Sequence, residues 1–557
     1  MRPTVEQQAI TSYPLGPLRV EAGAGTGKTT TLAWRVADLV KLHNIPPQAI
    51  LGITFTNKAA EELADRIHSE LGLQLSQEVE VHTYHGFANQ LVQEFGPLLG
   101  IERSFSVITP TFARQLLLDQ VAVGSFDELD LTFPRGIVAR LIKLSSELSD
   151  HLRTADDLLS ASALRSEIPW PARAELATLL KRYEASKRRL DLLDYGDLIR
   201  VAHHLVADHP EVADRVRSRY QAVLCDEYQD TNPAQRELLR ALFGAGFPLT
   251  VVGDPNQTIY EWRGATQENF AAFPVHFPSA DGTPSDTKPL SLNRRSDRRI
   301  IKVANAVAGK IGSTSRLRPR PGAGPGHVEA RWYSTALDEA HGIAEEIGRL
   351  HSEAATQWRD VAVLFRKNKD ISLVRDALSD HDIPVEVANL GGLLGIPEVV
   401  ELHAWLRVIR DPRDGVALTR ILTGTRFRLG LGDLRPLAFW ARRRDGRGDE
   451  PELDAPTHSL IEAIENVSEL DIRDEARAPL EDFLRIYRGL LADAQAVSLV
   501  ELCRRILDAI SAWDEIEAMP DAGRLSARLN LYRFLDLAED WSPLEGRPSL
   551  SAFLDHL

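Results

Sequence analysis

The run AGAGTGKTT, Ala22 to Thr30, follows the apolar segment LRVEA directly. Gly23, Gly25 and Gly27 let a backbone curl tightly enough to turn its amides toward an anion, with Ala24 and Thr26 between them. Lys28 then supplies a point charge for the β- and γ-phosphates of a nucleotide, and the Thr29 hydroxyl suits Mg²⁺. A helix starting there would direct its positive end at the same phosphates. The pattern GxxxxGK[ST] asks for glycine in first place, where this chain has Ala22, a departure of one methyl group. A flexible glycine turn before a helix would look similar. The preceding strand and following helix pattern are the context a phosphate loop requires.

Two further stretches place polar groups at the ends of apolar runs. In VLCDEYQDTNPAQ (223–235), Asp226 suits a direct or water-mediated Mg²⁺ role, and Glu227 suits positioning of an attacking water. In VVGDPNQTIYEWRGA (251–265), the Gln257 amide could sense a γ-phosphate. Tyr260 and Trp262 lie two apart and share a face of an extended segment. Such a face can stack bases at about 1–3 kcal/mol each, or simply pack into a core.

These groups need a scaffold, and the pattern supplies one. Short apolar runs at 18–22, 50–56, 222–228 and 249–254 alternate with amphipathic stretches, and VEARWY (328–333) and VAVLF (361–365) repeat the theme. Buried strands separated by helices predict an α/β fold with parallel sheets. Residues near 110–189 and 395–557 read as helical throughout and are taken as insertions. PSADGTPSDTKP (278–289) reads as a linker, RLRPRPGAGPGH (316–327) as a basic Pro/Gly loop, and 442–458 as a charged break.

At 557 residues the chain exceeds a single core, and about three or four compact units are expected. It is 43% hydrophobic and 26% charged, ordinary for a globular protein. Cys225 and Cys503 suggest neither a disulfide framework nor a metal site. The N-terminus is polar, and no apolar run approaches 18 residues, so no membrane span is expected, and the reading is an intracellular chain. The net charge of −15 argues against nucleic acid only weakly, because a local basic groove decides binding.

Taken in order, the segments resemble superfamily 1A DNA helicases of the UvrD/Rep/PcrA type. PTVEQQAI resembles their adenine-reading element, with Gln7 the best match and Gln8 next. AGAGTGKT resembles the family's phosphate loop, in which Ala in first place is normal. ITFTNKAAEEL (53–63) and TYHGF (83–87) resemble DNA-contact motifs, LLDYGDLI (192–199) the return from the first insertion, and LSLNRRSDRRI (290–300) the opening of a second motor domain.

The resemblance implies two RecA-like domains, each interrupted by helices: 1–109 and 190–278 as the first, 110–189 as its insertion, 290–390 as the start of the second, and 391–557 as its insertion. It implies ATP and Mg²⁺ as cofactors and single-stranded or partially duplex DNA as partner. Movement would run 3′ to 5′, in DNA repair or recombination, in a cytoplasmic, nucleoid-associated setting. Lys28, Asp226, Glu227, Gln257 and Arg295 would carry catalysis, with Thr29 and Asp226 on the metal. Gln7, residues 22–30 and Arg294 would hold the nucleotide. Phe55, Asn57, His85, Tyr260, Trp262 and Arg263 would meet DNA.

Two departures stand out. The family often has Tyr at 294 and Arg at 30, whereas this chain has Arg294 and Thr30, so Arg294 is expected to stack on the adenine. The family's last motor motifs are not found before SLSAFLDHL, so the second domain is expected to be incomplete through truncation. The segment 390–430 resembles the RecB-like AdnA/AdnB helicase-nucleases, with a partner subunit as one expectation. A P-loop kinase would not need the aromatic contacts or the long insertions. A scaffold with a dead motor would not need Lys28, Asp226 and Glu227, but the absent last motifs favour that alternative for this chain, as an inactive DNA-binding fragment or subunit needing another segment for hydrolysis.

Overall fold

The computed structural model describes residues 3–557 except 73–78, 109, 124–125, 130–133, 161–169, 262–263, 314, 387–392, 445–458, 471 and 542–548. The chain divides into two compact units, Met1–Glu329 and Ala330–Leu557.

The first unit is built on a six-stranded parallel sheet. In chain order, helix α1 (Val5–Thr11) precedes β1 (Leu18–Ala22), α2 (Lys28–Lys41), β2 (Ile50–Thr54), α3 (Asn57–Leu71), β3 (Glu80–Thr83) and α4 (Tyr84–Phe95). A helical excursion follows: α5 (Pro110–Val123), α6 (Pro134–Asp150), α7 (Asp157–Ser160) and α8 (Trp170–Arg189). The short strands β4 (Ser106–Val107) and β5 (Leu192–Leu193) pair in parallel across its neck. The chain then returns through α9 (Tyr195–Asp208), α10 (Pro210–Arg219), β6 (Ala222–Cys225), α11 (Pro233–Phe243) and β7 (Leu249–Gly253). It continues through α12 (Gln267–Ala271) and α13 (Phe273–His276) to β8 (Asp286–Leu290), β9 (Leu292–Asn293), α14 (Arg298–Lys310) and β10 (Arg318–Pro319).

The strand order is β3-β2-β6-β7-β1-β8. β2, β6 and β7 are buried along their whole length, as strands covered on both faces must be. Their side chains alternate between two cores. Ala222 and Leu224 join Val20, Leu32 and Val36 on one face, while Val223 and Cys225 join Phe87, Leu205 and Leu239 on the other. The excursion has its own core around Leu117, Val138, Leu141 and Leu179. Helix entries are set locally: Thr56 and Thr83 cap α3 and α4, and Asp194 with Asp197 and Asn232 with Gln235 form capping boxes on α9 and α11.

Among its described residues the second unit contains helices and no strand. α15 (Ala336–Ala354) and α16 (Ile371–Asp380) pack through Ala340, Ala344, Val374 and Leu378. Helices between Pro397 and His556 enclose a larger core centred on Trp405, Phe483 and Phe534.

Two segments differ from expectation. VEARWY and VAVLF form no strand. Val361, Val363 and Phe365 pack against the α15–α16 cluster, while Leu364 is 92% exposed and Trp332 96%. The alternation of a strand is there without a hydrogen-bonded ladder beside it, and a ladder partner is what defines a strand. Conversely, the stretch read as a linker ends in β8, which pairs with β1 as an edge strand and tolerates Pro289 there.

Candidate functional site

The expected residues gather at the carboxyl ends of the parallel strands, where open α/β sheets bind ligands. β1 delivers buried Ala22 into the glycine loop. Gly25 has φ 71° and Gly27 φ 85°, conformations that side chains disfavour. A Cβ at Gly25 would also lie 2.7 Å from Asn293 Nδ2. Thr26 braces the turn by donating to the Gly23 carbonyl at 2.7 Å. Gly27, at the N-cap of α2, offers no side-chain cap, and α2 opens directly with Lys28 and Thr29.

Facing them is the end of β6. Lys28 Nζ lies 2.8 Å from Glu227 Oε2, and the Thr29 hydroxyl donates to Asp226 Oδ2 at 3.2 Å. Glu227 adopts φ 49° and ψ 40°, a left-handed conformation disfavoured for a side-chain-bearing residue. Its amide donates to Asp226 Oδ1 at 2.9 Å. Burial and then the neighbouring Glu227 charge push the Asp226 carboxyl up to about 6, against the opposing pull of Lys28 and the Thr29 hydroxyl. A buried Asp226 beside a partly exposed Glu227, with one lysine between them, is short of positive charge, which fits a divalent cation at Thr29 and Asp226. Among the described residues no group of three or more His, Cys, Asp or Glu could hold a metal ion by itself. Mg²⁺ in nucleotide sites draws its remaining ligands from phosphates and water.

On the other side of the loop, Gln7 is 1% exposed. Its Nε2 donates to Thr31 Oγ1 at 3.2 Å, and its Oε1 accepts from Arg294 Nη2 at 2.9 Å. The Arg294 amide donates to the Gly25 carbonyl at 2.8 Å, and Asn293 Nδ2 to the Ala24 carbonyl at 2.7 Å. Arg294 is thus joined to the glutamine expected to read adenine, across 287 positions of sequence. The Thr30 hydroxyl accepts from Arg66 at 3.0 Å, so a guanidinium from α3 approaches the position where the family often carries arginine. Arg295 is exposed beside Gly25, its amide held by Asn293 Oδ1 at 3.0 Å.

The third group follows β7. Gln257 Nε2 donates to Asp254 Oδ2 at 2.6 Å. A cavity of about 280 Å³ opens here, lined by Glu21, Gly23, Ala24, Asp254, Gln257 and Leu317 among others. Tyr260 stacks on Phe55, centroids 4.5 Å apart, and both rings are only half-buried. Asn57 is exposed in the first turn of α3. His85 meets the ring of Tyr195 edge-on at 5.6 Å. Trp262 and Arg263 lie outside the described residues.

Several residues of this site were not singled out from sequence. Gln229 bridges Glu227 and Asp254, Asn293 bonds the phosphate loop, and Tyr195 faces His85. Asp230 is pushed up to about 6 by burial and then by Glu227, while the amides of Ile259 and Tyr260 pull it down. The available signal was position alone: each lies within or beside a quoted motif.

A parallel sheet with a glycine phosphate loop after its first strand and an Asp-Glu pair on a neighbouring strand defines a P-loop nucleotide-binding fold. Residues 4–278 match the UvrD/REP helicase N-terminal domain and 289–439 the UvrD-like helicase C-terminal domain, and the chain belongs to this superfamily 1A helicase family. It is similar to proteins named ATP-dependent DNA helicase PcrA. With that of Staphylococcus epidermidis it shares 28% identity over 560 residues, covering 99% of this chain and 72% of the relative. With that of Staphylococcus aureus it shares 27% over 559 residues, with the same coverage. The match to the C-terminal domain does not support the expectation of a second motor domain left incomplete by truncation. Nor do these matches support a helicase-nuclease partner subunit. No helix among the described residues is long and apolar enough to cross a membrane.

Proposed function

We propose that this chain is an ATP-driven motor that moves along single-stranded DNA, 3′ to 5′, and separates duplex in DNA repair or recombination. The observation that carries the reading is the continuity of the site: Lys28, Glu227, Gln229, Asp254 and Gln257 form an unbroken hydrogen-bonded line. That line runs from the phosphate loop to the segment bearing Tyr260.

In this reading Lys28 leaves Glu227 for the β- and γ-phosphates, which frees the Glu227 carboxylate to orient water. Thr29 and Asp226 hold Mg²⁺, which when bound neutralises charge on the phosphates. Gln7 reads the adenine edge and Arg294 lies over the base. Gln257 faces the γ-phosphate, and Arg295 reaches it as an arginine finger. Phe55, Asn57, His85, Tyr195 and Tyr260 line the DNA path, the rings against bases, and Trp262 and Arg263 are the further contacts that the family resemblance implies. The helical excursion and the helices after 391 act as the insertions of two RecA-like domains, with 290–390 in the second.

Hydrolysis of ATP should rise when single-stranded oligonucleotide is added. Oligonucleotide binding should weaken with salt at a log–log slope of about −0.7 per phosphate neutralised. Hydrolysis indifferent to DNA, together with a flat salt response, would overturn the reading.

A further inference from the structure

Gln229 is 2% exposed and spends both ends of its amide. Its Nε2 donates to Glu227 Oε2 at 2.8 Å, and its Oε1 accepts the Asp254 amide at 3.0 Å. Gly253 permits this approach. A Cβ there would lie 2.6 Å from Gln229 Oε1 and 2.9 Å from the Phe270 ring. Asp254 in turn accepts from the Asn256 amide at 3.0 Å and from Gln257 Nε2 at 2.6 Å, fixing the turn that leads to Tyr260. Residue 230, next along the chain, accepts from the amides of Ile259 and Tyr260. Tyr260 is stacked on Phe55.

Glu227 Oε2 therefore has two donors, Lys28 and Gln229. A triphosphate competes for the lysine. It does not compete for the glutamine, whose other end is anchored on backbone. Once Lys28 turns to phosphate, Gln229 is the donor left to fix the carboxylate.

We propose that Gln229 is a positioning residue that sets the Glu227 carboxylate according to the placement of the loop bearing Tyr260, so that a strand held on that loop accelerates hydrolysis. This rests on the function proposed above. It adds a route through Glu227 to the one through Gln257 and the γ-phosphate. No bond to substrate is assigned to Gln229.

The test compares Gln229→Met, which lacks both hydrogen bonds, with Gln229→Glu, which keeps the acceptor for the Asp254 amide and loses the donor to Glu227. Three quantities are read: the ratio of ATP hydrolysis with and without oligodeoxythymidylate, the affinity for a fluorescent ATP analogue, and the melting temperature. The ratio should fall about tenfold or more in both variants, with analogue affinity within about threefold of the parent. If Gln229→Met fails to fold, Gln229→Glu alone carries the test. A ratio retained within about twofold in Gln229→Glu would overturn the inference, as would a loss of affinity in step with the ratio. A parent chain without DNA stimulation would instead overturn the proposed function, and this inference with it.

Discussion

Tyr260 lies against Phe55 with ring centroids 4.5 Å apart and planes inclined by 30°. Phe55 comes from the end of β2 and Tyr260 from the segment after β7, so the stack is made by two strand ends that β6 separates in the sheet. Both rings are partly exposed, whereas Tyr228, which packs against Phe270 and Phe273, is fully buried. An aromatic pair kept partly in solvent has a platform to offer a base.

Phe55→Ala and Tyr260→Ala should each weaken binding of a single-stranded oligonucleotide by about 1–3 kcal/mol, with nucleotide affinity unchanged. Because the rings touch, the double variant should lose less than the sum. Fluorescence anisotropy at low salt measures both. Full additivity would show that the two rings act on separate bases.

Arg294→Ala should raise the ATP concentration needed for half-maximal hydrolysis about tenfold, consistent with the ~1.5–3 kcal/mol of a charged hydrogen bond. It leaves Gln7 Oε1 without its guanidinium donor. Discrimination between ATP and GTP should fall with it, and a nucleotide titration reads both. Unchanged ATP affinity would contradict the placement of Arg294 at the base.

The return from the helical excursion is held by a buried ionic cluster. Lys187 lies 2.6 Å from Asp194 and 2.5 Å from Asp197, and Arg200 lies 2.6 Å from Asp197. Burial raises the Asp197 carboxyl, but Lys187 and Arg200 outweigh it, and the net shift is downward. A depressed acid contributes stability above its unfolded value of 3.8 and loses it as pH falls toward the folded value. Lys187→Met leaves buried Asp197 and partly exposed Asp194 short of charge and should cost about 3–5 kcal/mol by denaturant unfolding at neutral pH. The loss should shrink as pH falls below 3.8 toward the depressed folded value of Asp197.

In the second unit, burial and then the charges of Arg407 and Arg410 push the imidazole of His403 down to about 4, against Asp414. The folded state keeps it neutral, while the unfolded chain protonates it near 6.5. Its contribution is complete above 6.5 and is lost as pH falls from there toward 4. His403→Gln should flatten the decline of melting temperature between neutral and mildly acidic pH. An unchanged pH profile would show that this ring does not titrate with unfolding.

The phosphate loop and the acid pair were legible because their chemistry is written contiguously: an apolar run, a turn, then a polar cluster at a fixed offset. The central strands were legible for the same reason. Arg294 with Gln7 and Gln229 with Asp254 were not, because those bonds join segments that only the sheet order brings together. VAVLF misled because burial periodicity and strand formation are separable: Val361 and Phe365 are packed as a strand's inner face would be, without a ladder. β8 was hidden by composition, since an exposed edge strand carries the polar residues and proline of a linker.

The most direct test is ATP hydrolysis by the parent chain and by Lys28→Ala, each with and without oligodeoxythymidylate. The parent should hydrolyse ATP and be accelerated by the oligonucleotide, and Lys28→Ala should fall by roughly 10²–10³-fold under both conditions. Equal turnover by parent and variant would contradict the assignment of Lys28 to the phosphates, and with it the motor.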